Sequence, residues 1–327
     1  MTSPRHSFEI VRGDAAALAA GDLAGCVVAI GNFDGVHRGH RAVIGAALAR
    51  ARALGRRAAA LTFDPHPRTF FRPDVPVFRL SGERDKLRLL AATGLDGAVI
   101  LRFDAALAAT SAQDFIDRIL VGRLAIGGAA IGFDFHFGKD RQGSPAYLAG
   151  QGAERGFLVD IVPPLEDEGR PVSSGAVREA LVAGKVVEAA ELLGAPWFVS
   201  GEVIHGAKRG RDLGFPTANI RLDASCGLKH GIYAVRAAVD GRIHDGVAGF
   251  GRRPTFDNGP PLLEVFLFDF SGDLYGKIID VAFIGWIRGE ERFDSVAALT
   301  RAMDHDAAQA RDALARAAGA FPVLGAV

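Results

Sequence analysis

The chain is 327 residues long and 49% hydrophobic, with 38 basic and 38 acidic residues. That length and apolar content exclude a mainly disordered chain and favour two packed domains, and zero net charge lacks the positive field that non-specific nucleic-acid binding relies on. Cys26 and Cys226 stand far apart, against a disulfide scaffold or a zinc cluster. The polar first residues and the interrupted alanine run that follows predict neither a secretory signal nor a membrane span, so a cytoplasmic enzyme of small molecules is expected, with no nucleic acid or membrane partner and a homo-oligomer left open.

From residue 27 to 162 short apolar runs alternate with helix-like segments, the pattern of a parallel sheet covered by helices. Strands are predicted at 27–30, 58–63, 98–101, 125–131 and 157–162. Helices are predicted after His40, over 81–92 with Ser81 as N-cap, and over 111–120, where Ser111 and Asp114 are spaced as a capping box. Pro163-Pro164 and the acidic loop Glu166-Asp167-Glu168 lead into two short helices, 174–183 and 186–193, ending at Gly194-Ala195-Pro196. The domain boundary is placed in this region, dividing 1–186 from 187–327. Beyond Trp197 the period changes to two, with strands at 232–239, 263–270 and 277–287 separated by Gly, Asp and Asn turns. So few strands and so much glycine predict an antiparallel barrel, closed off by a helix from Ser295 to about Ala318 whose apolar face holds Val296, Leu299, Met303 and Leu314. The expected fold class is therefore an α/β, Rossmann-like N-terminal domain plus a C-terminal antiparallel β-barrel.

Four motifs in the first half share one chemistry. Gly31-Asn32-Phe33-Asp34-Gly35-Val36-His37-Arg38-Gly39-His40 leaves the first predicted strand and enters a helix. Its glycines let backbone approach an anion, the helix start offers unpaired N–H groups, and His37 and His40 can donate to phosphate oxygens. Thr62-Phe63-Asp64-Pro65-His66-Pro67 leaves another strand at the same sheet edge and reads either as a rigid turn or as a second ligand loop. The loop Gly132-Phe133-Asp134-Phe135-His136-Phe137-Gly138 offers rings that either cap the core or stack on a flat heterocycle. Ser173-Ser174-Gly175-Ala176-Val177-Arg178 places hydroxyls and an arginine at a helix start.

In this order the four motifs resemble the adenylyltransferase half of bacterial bifunctional riboflavin kinase/FMN adenylyltransferases, built on the HxGH phosphate site of the nucleotidyltransferase superfamily. The resemblance implies transfer of AMP from ATP to FMN, giving FAD and pyrophosphate. It implies that His37 and His40 hold ATP phosphates and that Gly31, Phe33, Asp34, Gly39 and His66 belong to the same nucleotide site. Asp134, Phe135 and Phe137 fall in the flavin and nucleotide pocket, and Arg178 closes on phosphate. One departure is Ser173-Ser174-Gly175 where the family usually has Ser-Ser-Thr.

The second half adds Gly206-Ala207-Lys208-Arg209-Gly210-Arg211, a basic glycine loop, then Leu213-Gly214-Phe215-Pro216-Thr217-Ala218-Asn219, a proline-fixed turn bearing a hydroxyl and an amide. Glu264 stands among alternating apolar residues and by itself reads as a carboxylate on the wet face of an edge strand. Together with 246–255 these segments resemble the flavokinase pattern, so that the resemblance spans about 25 to 315. It implies that Thr217 and Asn219 hold Mg²⁺ of MgATP and that Gly206, Lys208, Gly210, Arg211 and Pro216 surround the phosphates. Glu264 is then the general base for the 5′-hydroxyl of riboflavin. An alcohol must lose its proton as it attacks phosphorus, whereas the FMN phosphate is already anionic, so the two halves have different catalytic needs. Ala248-Gly249-Phe250-Gly251 departs from the family's Ala-Asn-Ile-Gly. The rival reading is a nucleotidyltransferase whose C-terminal barrel only binds flavin, which would need neither a metal pair nor a base.

Overall fold

The fully apolar run Val27-Val28-Ala29-Ile30 is buried along its whole length, as a strand covered by helices on both faces requires. The structure, a computed structural model, describes residues 7–15, 18–167, 169–205, 215–251 and 261–327. Two units emerge: Met1–Ser173 together with Val323–Val327, and Ser174–Pro322.

The first unit follows the order β1 (Glu9–Gly13), β2 (Val27–Ile30), α1 (Arg38–Leu54), β3 (Ala58–Asp64), α2 (Pro67–Phe71), α3 (Glu83–Ala91), β4 (Gly97–Arg102), α4 (Ala105–Ala109), α5 (Ala112–Asp114), β5 (Gly128–Gly132), α6 (Pro145–Arg155) and β6 (Leu158–Val162). A small hairpin, β7 (Glu166–Asp167) and β8 (Arg170–Pro171), follows. Six strands form one parallel sheet in the order β1-β4-β3-β2-β5-β6. The winding reverses beside β2, because β3 and β4 lie on one side of it and β5 and β6 on the other. Such a switch point opens a crevice at the carboxyl ends of the strands.

All five predicted strands are present, within three residues at either end. Strand β1 was not predicted, because Glu9-Ile10-Val11-Arg12-Gly13 is half polar; it completes the sheet edge against β4. Ser111 does cap its helix, accepting from the Asp114 N–H, and the helix continues as a π-helical stretch over Phe115–Arg123. Ser81 does not cap α3: Gly82 takes that position, and Ser81 Oγ accepts from the Gly35 N–H at 3.1 Å instead. At the far end of the chain, the Gly325 N–H donates to the Arg88 carbonyl on α3 at 2.9 Å. A Cβ at Gly325 would lie 2.5 Å from the Ala91 Cβ, so only glycine fits there.

In the second unit α7 (Ser174–Val182) and α8 (Val186–Leu193) precede β9 (Phe198–Ile204), β10 (Ala218–Arg221), β11 (Gly231–Val239), β12 (Arg242–Gly251), β13 (Leu262–Leu267), β14 (Ile278–Arg288) and α9 (Val296–Arg316). The six strands close an antiparallel barrel in the order β10-β13-β12-β11-β14-β9, which leaves no edge. Asp240 and Gly241 both take left-handed backbone angles, φ 49° and 79°, the two-residue turn whose twist suits a hairpin. Strands β9, β10 and β12 were not predicted. The predicted strand over 263–270 stops at Leu267, and β13 lies between β10 and β12, so Glu264 does not sit on an edge strand.

Helix α9 packs across β11, β12 and β14. Ser295 caps it by accepting from the Ala298 N–H, but Val296 is 64% exposed and takes no part in the buried face, which is made by Asp306, Ala310 and Leu314. Polar chemistry fixes this helix at its middle and at its C-terminal end. Arg288 forks onto Asp306, Nε to Oδ1 at 2.8 Å and Nη2 to Oδ2 at 2.7 Å, with the carboxylate buried. Arg236, buried on β11, donates to the carbonyls of Leu314, Ala317 and Ala320 and to Asp245. Arg236→Met should leave those helix-end carbonyls unpaired and cost about 2–4 kcal/mol. Both tryptophans, Trp197 and Trp286, lie in this unit, so urea unfolding followed by tryptophan fluorescence reads it directly. An unchanged midpoint would show that the arginine holds nothing.

Candidate functional sites

In the first unit the turn after β2 sits at the switch point. Phe33, Gly35 and Val36 all have left-handed backbone angles, φ 50°, 81° and 44°. For a β-branched residue such as Val36 this costs on the order of 1–3 kcal/mol, and it persists only where surrounding bonds over-determine it. Those bonds are present. Asp34 Oδ1 accepts from the Leu80 N–H at 2.9 Å and the Ser81 N–H at 3.1 Å, Gly35 N–H donates to Ser81 Oγ, and Thr62 Oγ1 donates to the Asn32 carbonyl at 3.1 Å.

The turn delivers its histidines to the start of α1. His37 is the N-cap, 6% exposed, and its Nδ1 accepts from the His40 N–H at 3.2 Å. A neutral His37 ring then carries its proton on Nε2, where it can be donated. His40 stacks on His37 with centroids 3.6 Å apart, and the buried Phe33 ring abuts His40 edge-on at 5.3 Å. Gly31 begins the turn and Gly39 lies in the first helical turn. That first turn holds no acid but carries Arg38, His40 and Arg41, the reverse of what the positive end of a helix dipole favours. An anion at this position would relieve the repulsion.

Beside it, the second turn leaves β3. His66 caps α2, its Nδ1 accepting from the Arg68 N–H at 3.1 Å. Between the two turns lies Lys86, 7% exposed, which sequence reading passed over. Its Nζ donates to Thr62 Oγ1 at 3.2 Å and to the Phe63 carbonyl at 3.4 Å. Burial lowers its proton affinity, and the carboxylates of Asp64, Asp34 and Glu83 oppose that effect. The signal was available, since Lys86 lies three and four residues before Leu89 and Leu90, on the buried stripe of α3.

The aromatic loop divides between both readings given above. Phe137 is a core residue, 7% exposed and packed on Phe115 at 5.3 Å, while Phe135 stacks over it at 5.5 Å and is half-buried. Asp134 is exposed, and so is Phe133, at 49%. A further ring cluster, Phe63, Phe70, Phe71 and Phe103, stands at the carboxyl ends of β3 and β4, with Phe71 64% exposed. Arg178 lies on α7 and belongs to the second unit.

In that unit strand register assembles the other site. Asn219 on β10 faces Glu264 on β13, and Glu264 faces Gly249 on β12. Their neighbours Ile220, Leu263, Val265, Ala248 and Phe250 are buried inside, so alternation turns Asn219, Glu264 and Gly249 to the opposite, outer face of the barrel, where Asn219 is itself covered, at 5% exposure, and Glu264 is half-buried. Thr217 and the exposed Pro216 precede β10, and Asn219 Nδ2 donates to the Thr217 carbonyl at 3.4 Å. A Cβ at Gly249 would meet, among the described residues, only Ile232 Cδ1 at 3.4 Å, leaving open space beside Glu264. Gly206, Lys208, Gly210 and Arg211 lie outside the described residues.

Cysteine chemistry has no place in either site. Burial pushes the Cys26 thiol up to about 12 and Cys226 up to about 11, so both stay protonated near neutrality.

Comparison with known proteins agrees with this division. The family model for FAD synthetase matches residues 20–176, and that for riboflavin kinase matches 193–314. A bifunctional riboflavin kinase/FMN adenylyltransferase from Pseudomonas fluorescens is 42% identical over 288 residues, 88% of this chain and 92% of that protein. The proteins of the same name from Haemophilus influenzae and Bacillus subtilis are 41% and 38% identical, covering 84% and 87% of this chain and 89% and 91% of theirs. A solved structure described as a macrolide-efflux protein from Streptococcus pneumoniae superposes with a TM-score of 0.82 at 31% identity, over 93% of this chain and 99% of that one. With a histidine-bearing turn at the sheet's switch point, a hydroxyl, amide and carboxylate gathered on a barrel face, and these matches running through both, the chain belongs to the bifunctional riboflavin kinase/FMN adenylyltransferase family.

Proposed function

We propose that the chain phosphorylates riboflavin to FMN on the outer face of its barrel and adenylylates FMN to FAD at the turn after β2. The observation that carries the reading is the pairing of a proton-accepting carboxylate with one site and proton donors with the other.

In the barrel, the 5′-hydroxyl of riboflavin attacks the γ-phosphorus of ATP, its proton passes to Glu264, and ADP leaves. Thr217 and Asn219 supply neutral oxygens one strand from that carboxylate. This donor set suits Mg²⁺, which takes oxygen ligands and keeps most of its shell for water and phosphate. When bound there, the ion would neutralise charge on the transferring phosphoryl group. A barrel that only bound flavin would have no use for Glu264 beside Asn219.

At the turn, an FMN phosphate oxygen attacks the α-phosphorus of ATP and the bond to the bridging oxygen of pyrophosphate breaks. No base is needed, so the work is alignment and charge stabilisation. His37 Nε2, His40 and the N–H groups at the start of α1 hold the phosphates. Phe33, buried beneath His40, supports that ring rather than touching nucleotide. The isoalloxazine stacks on rings exposed at the same strand ends, Phe71 and Phe133. His66, Asp134 and Phe135 complete this site as ligand contacts, and Lys208 with its glycine loop covers the phosphates of the other. The substrates are small molecules and the setting is the cytoplasm; among the described residues no helix is long and apolar enough to cross a membrane.

Glu264→Gln should lower FMN formation by about 10²–10⁴-fold while FMN and ATP still give FAD. His40→Ala should do the reverse, losing about 10²–10³-fold in FAD formation. Separation of FMN from FAD by fluorescence reads both, and loss of both reactions from one substitution in a folded protein would refute the division. Asp34 tests the support of the turn. Asp34→Ala should leave two buried N–H groups unpaired at about 1–3 kcal/mol each, speeding hydrogen exchange at 31–36 and slowing FAD formation. Asp34→Asn keeps an oxygen in place and should recover most of both; equal damage from the two would mean that the charge itself acts on the ligand.

A further inference from the structure

A lysine amine at 7% exposure is expensive, because burial removes its hydration. On the apolar stripe of α3, shared with Leu87, Leu89 and Leu90, a methionine would fill similar space without that penalty. The polar contacts of Lys86 all run to one place. Its Nζ reaches Thr62 Oγ1 and the Phe63 carbonyl at the end of β3, immediately before the turn 64–67. The same Thr62 hydroxyl passes its own proton to the Asn32 carbonyl in the turn 31–36. One carboxylate from each turn, Asp64 and Asp34, acts on the amine. The geometry is a cation seated between two loops and bonded to the hydroxyl that ties them together.

We infer that Lys86 is a positioning residue for adenylyl transfer, locking the phosphate-binding turn 31–36 to the neighbouring turn 64–67 through Thr62. The inference rests on the proposed role of the first turn in holding ATP. Lys86 does not touch the reacting atoms. It fixes the direction in which Thr62 donates, since a hydroxyl that accepts from the amine offers its proton to Asn32, and the backbone of the histidine-bearing turn is held from below. Without the amine the hydroxyl is free to rotate, and the left-handed angles at Phe33 and Val36 lose one of the bonds that maintain them.

The test uses the full-length chain and steady-state FAD formation from FMN and ATP, with riboflavin phosphorylation measured on the same samples. Lys86→Met should lower kcat by on the order of 10- to 100-fold and raise KM for ATP severalfold, with KM for FMN little changed. Loss of folded enzyme would lower kcat alone. Thr62→Val should reproduce the effect, Thr62→Ser should restore near wild-type behaviour, and the Lys86→Met/Thr62→Val double variant should be no worse than the poorer single one. Riboflavin phosphorylation should not move. The inference is overturned if Lys86→Met leaves FAD formation within about twofold, a change too small to mark a coupled pair. It is equally overturned if kcat falls with KM for ATP unmoved, or if the two substitutions multiply. Should Lys86→Met fail to fold, the Thr62→Val and Thr62→Ser pair decides, because a serine as damaged as the valine removes the hydroxyl from the argument. A wild-type chain that makes no FAD would sink the reading of the site itself and this inference with it.

Discussion

The N-terminal half depends on one constraint: a short turn must hold Phe33, Gly35 and Val36 in left-handed backbone so that the next residues start a helix with His37 as its cap. Neither phenylalanine nor valine tolerates that conformation by preference. The turn therefore borrows its stability from elsewhere in the unit, from the 80–81 segment through Asp34 and Ser81 and from β3 through Thr62. What looks in sequence like a ligand loop is half scaffold. Asp34 and Phe33, both expected at the nucleotide, spend visible contacts on holding the histidines.

The barrel solves a different problem. Closure removes every edge, and strand alternation then decides which residues face outward. Register alone brings Asn219, Glu264 and Gly249 into one row across three strands, although 46 residues of chain run from Asn219 to Glu264. The helix laid over the neighbouring strands is fixed by two arginines, Arg288 at its middle through Asp306 and Arg236 at its last carbonyls.

Much of this was legible in the residues. The buried parallel strands announce themselves as apolar runs, the change of period marks the barrel, Ser111 caps as its spacing implies, and the last helix starts at Ser295 as expected. What escaped notice shares a cause. Strand β1 has a polar composition that pairing with β4 overrides, β9 and β12 carry too many Gly, Ser or charged residues to alternate cleanly, and β10 is only four residues long. Ser81 reads as a local cap and serves a residue 46 positions away, and of the two readings open for the aromatic loop Phe137 takes the core one. Lys86 was hidden because a single charged residue on an apolar stripe looks like a flaw in the pattern until its partners are seen. Local signals were readable, whereas contacts made across the sheet were not.

The last five residues carry a consequence for anyone who would divide this polypeptide. Val323–Val327 belongs with the amino-terminal unit, and Gly325 is bonded to the backbone of the very helix that bears Lys86. Severing the chain once, in the stretch between the flavin kinase and the adenylyl-transferring module, would strand that closing peptide on the wrong fragment.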